Sequence, residues 1–400
     1  MSNFVDELLP EIHKFCRQLP GSRFDRNFDE YKVLSGSLDF YARLYLDRTP
    51  PVLMLRCRDQ VREKLSSAKA TVQISERMKW ETIGWKWCDF SLDGSLTRND
   101  LFELIEDSYQ LTIEKFDPEQ RFQIDLVKRG LSQREVLTEL IRFHRFAKKQ
   151  QAIEGAARPA LLLRTQPSGQ PLKLGRSHIG GLPDLPDDMK WPMHRNGKSL
   201  AFLAQINLGE IAQKEWLSEF PTEGLLYFFS VLGWQQEGDA DPDLPKDKDS
   251  TDWTRVLYAP NGKSRLKQTE PPGAVNTFPA VAVEFLPQLT IPTDPREPVF
   301  EAKWSGEAKD KYISLQDAFA DASAHPLGHP PRHLLGGYAD YEQEFVKAVA
   351  KEKLQLLFQL ATDGNAEMCW GDGGYLYFWI KPEDLRQRKF EQIYVDYQCG

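Results

Sequence analysis

The sequence has few cysteines, and none of them is spaced for metal binding or redox chemistry. No two of them stand in the CxxC arrangement that a zinc site or a redox motif uses. An odd number of widely separated thiols is typical of a protein kept reduced in the cytosol. We therefore predict a cytoplasmic protein with no cofactor and no metal. The five cysteines are Cys16, Cys57, Cys88, Cys369 and Cys399.

Long hydrophobic runs and an excess of positive charge are also missing. No apolar stretch approaches the roughly 18 residues of a membrane-spanning helix, and the N-terminus is acidic where a secretory signal is basic. We expect no membrane anchor and no targeting signal. The formal net charge of -8 argues against nucleic-acid binding by the whole molecular surface, although it is compatible with a local basic patch.

The familiar catalytic motifs are absent as well. The sequence has no GxSxG, Walker, HExxH or dinucleotide-binding glycine pattern in the setting that each requires. His325, His329 and His333 are spaced by four, as metal ligands on a helix would be, but the prolines and glycines among them are incompatible with a helix. Any enzymatic activity would therefore depend on an unrecognised site.

What the sequence does have is an ordinary globular composition and more residues than one core usually holds. Hydrophobic residues make up 41% and charged residues 28% of 400 positions, and single cores stop growing near roughly 250 to 300 residues. Helical and strand patterns alternate over residues 1–116, a helical connector follows over 117–154, and short apolar runs separated by turn residues fill 155–400. We predict an α+β protein with two domains and this connector.

Three short motifs in residues 1–116 carry a resemblance to a known family. They are Cys16-Arg-Gln-Leu-Pro-Gly21, Met78-Lys-Trp80-Glu-Thr-Ile83 and Leu104-Ile-Glu-Asp-Ser108-Tyr109. In order and spacing they resemble the MmcQ/YjbR family. The resemblance implies a frataxin-like α-β-α sandwich and a proposed DNA-binding role. The segment Ser35-Gly-Ser-Leu-Asp-Phe40 departs from the family, because it lacks the lysine that members usually place there.

A basic segment makes nucleic-acid binding by this domain a specific hypothesis. Residues 48–87 hold nine Lys or Arg against four Asp or Glu, a local net charge of +5, and DNA affinity comes chiefly from cations that neutralise phosphates. Alternatively, Trp85 and Trp87, two apart on a strand, pack on one face of a sheet and the arginines are merely solvated. The predicted contact residues are Arg56, Arg58, Arg62, Lys64, Lys79 and Trp80.

Residues 155–400 show signs of an internal duplication. Three stretches recur at offsets of 156, 154 and 150 residues, as expected of two copies of one sheet unit with different loops. We predict a strand-dominated α+β domain whose two copies face each other across a cleft. The stretches are Gly180-Gly181 with Gly336-Gly337, Phe202-Leu-Ala-Gln205-Ile with Leu357-Phe-Gln359-Leu, and Gly224-Leu-Leu-Tyr-Phe-Phe229 with Gly374-Tyr-Leu-Tyr-Phe-Trp379.

Six ordered blocks in the same region resemble the YwqG-like family of unknown function. The resemblance covers about residues 155–400 and implies a domain outline without an established activity. His178 departs from the family, whose members commonly have a basic or small residue there. The blocks are Ser177-His-Ile-Gly-Gly181-Leu-Pro-Asp-Leu-Pro186, Trp191-Pro192, Phe202-Leu-Ala-Gln205-Ile-Asn207-Leu, Gly224-Leu-Leu-Tyr-Phe-Phe229, His333-Leu-Leu-Gly336-Gly and Trp370-Gly371-Asp372-Gly-Gly-Tyr-Leu-Tyr-Phe378.

The glycine-rich loop at Trp370 is the most distinctive candidate for a ligand site in this half. Its glycines allow close backbone approach, and the flanking side chains offer an apolar wall and an acceptor. We predict a ligand cleft lined by Gln205, His333, Gln359, Trp370 and Asp372. The alternative is structural, with the glutamines satisfying backbone groups, Asp372 capping a turn and Trp370 filling the core.

These observations favour a non-enzymatic binding or interaction protein. Nucleic acid is the expected partner of residues 48–87, and a protein or small ligand is the expected partner of residues 155–400. The alternative is a hydrolase or transferase with an unrecognised site in the cleft between the two copies. Such an enzyme would bring His333, Trp370 and Asp372 together in one pocket.

Overall fold

The computed structural model divides the chain into two compact units of mixed helices and strands, which confirms the α+β class. Unit 1 comprises residues 1–145 with 314–329, and unit 2 comprises residues 146–313 with 330–400. The structure describes residues 2–25, 29–34, 40–67, 72–75, 85–167, 171–194, 196–211, 217–231, 253–260, 265–294, 300, 306–323, 332–343 and 347–399. The boundaries at 116 and 154 remain predictions.

Unit 1 is built on a six-stranded antiparallel sheet. Its strand order is β1-β2-β3-β4-β6-β5. In chain order the elements are α1 (Ser2–Gln18), β1 (Ser22–Asp25), β2 (Glu30–Val33), β3 (Phe40–Tyr45), β4 (Val52–Arg58), α2 (Asp59–Ser67), β5 (Val72–Ile74), β6 (Trp85–Ser91), α3 (Arg98–Ile113), α4 (Pro118–Lys128) and α5 (Gln133–Phe143).

Helices α1 and α3 pack against this sheet through apolar faces that the sequence pattern predicts. Leu8 and Ile12 of α1 are fully buried in the same cluster as Leu53 and Leu55, which alternate along β4. Helix α3 is capped by Thr97, whose side chain accepts a hydrogen bond from the backbone N–H of the third helical residue. One sheet face thus forms the core of unit 1.

Unit 2 contains a ten-stranded sheet of order β12-β11-β10-β8-β14-β7-β15-β16-β17-β18 and a separate pair β13-β9. Its elements are α6 (Gln150–Ala156), β7 (Arg158–Pro167), β8 (His178–Ile179), β9 (Asp184–Pro186), β10 (Ala201–Asn207), β11 (Leu225–Ser230), β12 (Thr254–Ala259), β13 (Leu266–Gln268), β14 (Val281–Thr290), α7 (Glu307–Ser323), β15 (His333–Gly336), α8 (Lys347–Glu352), β16 (Gln355–Ala361), β17 (Tyr375–Ile380), α9 (Pro382–Arg386) and β18 (Ile393–Gln398). Helix α7 is divided between the units at residue 314.

The strand order of the large sheet agrees with the predicted duplication. Strands β8, β10, β11 and β12 form a first half, and β15, β16, β17 and β18 form a second half in the mirrored order. The β10–β11 pairing shifts register between Phe202 and Ala204, and the β16–β17 pairing shifts between Leu356 and Phe358, 154 residues later. Two halves with the same irregularity at the same offset are copies of one unit.

The two central strands are exchanged between the halves. Strand β7 precedes the first half in the chain but pairs with β15, and β14 precedes the second half but pairs with β8. Leu161 of β7 pairs with β15 of the second half, and Val281 of β14 pairs with β8 of the first half. Arg164 lies three residues after Leu161, Glu284 lies three residues after Val281, and these two side chains form an ion pair. The approximate two-fold symmetry therefore centres on this ion pair, and each half is completed by the other's strand.

Paired glycines hold the turns beside the exchanged strands. Gly181 and Gly337, 156 residues apart, both have positive φ, at 74° and 75°. A Cβ on Gly337 would lie 2.6 Å from Thr290 Oγ1 and 2.7 Å from Ala160 Cβ, on the two central strands. Both the conformation and the space therefore require glycine.

We predict that Gly337→Ala lowers the free energy of unfolding by about 1 to 3 kcal/mol, because it combines a left-handed backbone with a clash. Urea unfolding followed by circular dichroism measures this loss. Gly364→Ala is the matched control, because a Cβ at Gly364 would meet nothing within 4 Å and its φ lies outside the left-handed region. Equal midpoints for the two variants would contradict the prediction.

Candidate functional site

The predicted residue Gln205 holds a loop to the first half of the sheet. Its Oε1 accepts a hydrogen bond from the Asp184 backbone N–H at 2.8 Å. Its Nε2 donates to the Arg176 carbonyl at 2.9 Å and to Asp184 Oδ2 at 3.1 Å. The Tyr227 hydroxyl closes the arrangement by donating to the Asp184 carbonyl at 2.6 Å. We call these four residues the first clasp.

Gln359 makes the same contacts in the second half. Its Oε1 accepts from the Asp340 backbone N–H at 2.8 Å, and its Nε2 donates to the Arg332 carbonyl at 2.7 Å and to Asp340 Oδ2 at 2.9 Å. The Tyr377 hydroxyl donates to the Asp340 carbonyl. This second clasp repeats the first residue for residue, at offsets of 150 to 156.

The clasps account for both predicted glutamines in structural terms. Gln205 and Gln359 have no exposed surface, and the oxygen and the nitrogen of each amide are both used within the chain. A buried amide with satisfied donors and acceptors fixes the loop that it binds. Neither side chain is placed to meet a ligand from solvent.

His333 and Trp370 both bond to the backbone of Ala361, the last residue of strand β16. The His333 Nδ1 accepts from the Ala361 N–H at 3.0 Å, and the Trp370 Nε1 donates to the Ala361 carbonyl at 3.2 Å. Because Nδ1 accepts, Nε2 carries the hydrogen and donates to Asp363 Oδ2 at 3.2 Å. His333 and Trp370 are fully buried, so they belong to the core.

The carboxylate of Asp363 ties this cluster to the exchanged strand β7. Burial alone would raise its pKa, but hydrogen bonds from His333, Thr165 and the Asn365 backbone lower it below the ordinary value. Asn365 also donates to Thr165 Oγ1 at 3.2 Å. The polar network therefore joins the second half to the strand that precedes the first.

Asp372 does not join the other predicted cleft residues. It is exposed in the turn after Trp370, whereas Gln205, His333, Gln359 and Trp370 have no accessible surface. The structure thus brings His333 and Trp370 together inside the core, and it places each glutamine in its own clasp.

The predicted nucleic-acid contacts of unit 1 have internal partners where the structure describes them. Arg56 is 2% exposed. Arg58 pairs with Asp107 at 2.9 Å and Glu114 at 2.7 Å, and these hydrogen bonds, that to Asp107 foremost, raise its pKa. Arg62 pairs with Asp59 at 3.1 Å. Lys64 lies in α2, and Lys79 and Trp80 fall outside the described residues.

A continuous row of cations and aromatic rings, with two rings in succession at its centre, crosses β6, β4 and β3. Its successive members, with the distance from each cation to the ring centre or between ring centres, are Lys115 over Trp85 (4.3 Å), Trp85 under Arg56 (5.1 Å), Arg56 over Trp87 (4.9 Å), Trp87 on Phe40 (4.5 Å), Phe40 under Arg43 (5.2 Å), Arg43 over Tyr45 (5.9 Å) and Tyr45 under Arg48 (5.5 Å). We call this row the cation–aromatic ladder.

The ladder is buried in the middle and accessible at its ends. Trp87 is 4% exposed, whereas Lys115 is exposed and the Arg48 side chain is 37% exposed. Arg43, Tyr45 and Lys115 are absent from the predicted contacts, because they lie outside the basic segment 48–87 and come together only on the face of the folded sheet. The signal that could have found two of them is the period of two that places Arg43 and Tyr45 on one face of β3.

No group of three or more His, Cys, Asp or Glu among the described residues could hold a metal ion. No helix within the described ranges is both long and apolar enough to cross a membrane. The five cysteines, all within those ranges, are free thiols.

A family model described as a domain of unknown function, DUF1963, matches residues 177–399, which is more than half of the chain. The chain belongs to the DUF1963 family. The DUF1963 match runs from the residue before β8 to the residue after β18, so it includes both halves of the duplicated sheet, the whole second clasp and the first clasp except Arg176. Because the family has no assigned activity, membership identifies the domain and leaves its function open.

Another comparison concerns a solved structure. The chain is similar to protein DR2400 of Deinococcus radiodurans, whose crystal structure is described by the family-model domain DUF419. The identity is 23%, the match covers 29% of this chain and 87% of that chain, and the TM-score is 0.26. No curated protein matches the chain. The resemblances to the MmcQ/YjbR and YwqG-like families remain predictions.

We predict that Gln205→Leu and Gln359→Leu each lower the free energy of unfolding by about 2 to 4 kcal/mol, because each leaves buried backbone groups without a partner. Urea unfolding measures both losses, and similar values are expected because the clasps have the same contacts. The matched control is Gln387→Leu at an exposed position. A clasp variant as stable as that control would refute the structural role.

Two buried histidines and the partly buried His13 should make the protein less stable in mild acid. Burial is the main cause that lowers the pKa of His13, His144 and His178 below the ordinary value of 6.5. Below that pH the unfolded chain takes up protons that the folded chain does not, so stability falls as pH falls. Urea unfolding at pH 7.5 and 5.5 tests this, and His178→Gln should reduce the difference. Stability that is equal or higher at pH 5.5 would contradict it.

Proposed function

We propose that the chain is a non-enzymatic binding protein whose unit 1 binds single-stranded nucleic acid through the cation–aromatic ladder. The observation that carries the proposal is the continuous row of cations and rings across one sheet face, with accessible groups at both ends. Nucleic acids without a partner strand are bound by cations that neutralise phosphates and by aromatic rings on which bases stack. The ladder supplies both kinds of group in one row.

The accessible end at β3 has the chemistry for such contacts. Arg43 and Arg48 both lie over the Tyr45 ring, which is partly exposed. Two acids moderate the charge, since Glu30 pairs with Arg43 at 3.2 Å and Asp89 lies 3.9 Å from Arg48. Single strands are favoured over duplexes because an aromatic ring can stack only on an unpaired base.

Unit 2 has the features of a rigid scaffold in this proposal. In its clasps and its buried histidine network, side chains that could otherwise act on a substrate form hydrogen bonds within the chain. For the alternative, a hydrolase or transferase, the geometry gives less support, because His333 and Trp370 lie in the core and Asp372 lies at the surface. A protein or small-molecule partner of unit 2 remains part of the proposal.

The test is binding of the full-length chain to fluorescently labelled oligothymidine, followed by anisotropy over a salt series. Affinity should fall as salt rises, and Arg48→Ala should reduce the slope of log K against log salt by about 0.7, the share of one neutralised phosphate. Tyr45→Ala should weaken binding about tenfold by removing a stacking ring. A duplex of the same length should bind more weakly.

The matched control is Arg98→Ala, which removes the same charge from the same unit. Arg98 is a partly exposed arginine paired with Glu7 and Glu11 outside the ladder, so its loss should leave affinity nearly unchanged. Absence of salt-dependent binding at low salt would reject the proposal. An equal loss from Arg98→Ala and Arg48→Ala would reject the ladder as the site.

A further inference from the structure

Two adjacent buried rings in unit 2 each carry an N–H group without a partner. The rings of His194 and Trp253 have centres 5.1 Å apart and are tilted by 49°. The two residues are 8% and 6% exposed. His194 Nε2 and Trp253 Nε1 are both buried and have no hydrogen-bond partner among the described residues.

The hydrogen-bond pattern makes His194 a donor at this point. Its Nδ1 accepts from the Asn196 backbone N–H at 3.3 Å, so the hydrogen of the neutral ring is on Nε2. The indole nitrogen of Trp253 is a donor only. The pair therefore presents two N–H donors and no acceptor.

Both donors are held by fixed backbone. His194 lies in a short hairpin, where its N–H donates to the Lys198 carbonyl and its carbonyl accepts from Gly197, both at 2.9 Å. The Trp253 carbonyl accepts from the Val231 N–H at the end of β11. These hydrogen bonds fix the backbone from which the two side chains extend.

Among the four indoles that the structure describes in unit 2, two have an internal acceptor, and Trp253 and Trp379 have none. The Trp191 Nε1 donates to the Leu200 carbonyl at 2.9 Å, and the Trp370 Nε1 donates to the Ala361 carbonyl. Trp253 differs from Trp379 in that the His194 ring beside it carries a second unpartnered donor. Buried N–H groups in folded proteins are paired in the great majority of cases. Two adjacent donors without a described acceptor thus call for an external oxygen.

We infer that His194 and Trp253 form a binding site for a small carboxylate, which would accept one hydrogen bond from each ring. On the His194 side the segment 189–199 is basic, with Lys190, Arg195 and Lys198 and no acidic residue, whereas Asp252 precedes Trp253. A carboxylate has two oxygens with the lone pairs to satisfy both donors. The site belongs to unit 2 and is independent of the ladder in unit 1.

The test uses nuclear magnetic resonance of the full-length protein labelled with ¹⁵N at the ten tryptophan indoles. The Trp253 signal is assigned from its loss in Trp253→Phe. Titration with sodium acetate, against sodium chloride at equal ionic strength, should move this signal downfield and saturate. The Trp191 signal, from an indole already bonded to Leu200, should not move. Inorganic phosphate forms a second arm that distinguishes a carboxylate site from a general oxyanion site.

His194→Phe is the decisive variant, because it keeps a ring of similar size and removes the Nε2 donor. It should weaken acetate binding about tenfold or more while the other indole signals keep their positions. The inference is overturned if acetate produces no saturable shift of the Trp253 signal, or if the shift is the same in His194→Phe. Stronger binding of phosphate than acetate would overturn the assignment to carboxylates.

Discussion

The pairing of β7 with β14 is the constraint on which the rest of unit 2 depends. Each of these strands stands before one half in the chain and pairs with the first strand of the other half. These two strands pair over ten residues, with Arg164 opposite Glu284. In the strand order of the described sheet, this pairing is the junction between the two copies. Neither copy has a complete set of neighbours without the other.

Polar networks reinforce this exchange. They also give structural roles to side chains that could otherwise be reactive. Asp363 links His333 in the second half to Thr165 on β7, and the two clasps fix equivalent loops on either side. Groups that look catalytic in the sequence are thus parts of a scaffold. The two binding proposals concern groups outside these networks, at the ends of the cation–aromatic ladder and at the His194–Trp253 pair.

The sequence predicts the duplication well and the exchange not at all. The echoes at offsets of 156, 154 and 150 coincide with β8, β10 and β11 and their copies, because turns and buried strands impose local residue choices. The apolar run in β7 gives no hint of its partner, since strand pairing is a long-range choice. Likewise, Arg56 sits within the run that forms β4, and charge alone did not reveal that Trp85 and Trp87 cover it.

The central claim is that exchanged strands make the two copies one cooperative unit. Native-state hydrogen exchange, measured with increasing denaturant, tests it most directly. The account predicts that amides of β10 in the first half and β16 in the second exchange with the same free energy of opening as those of β7 and β14. If one half opened and exchanged while the other stayed protected, the copies would be independent and the account would be wrong.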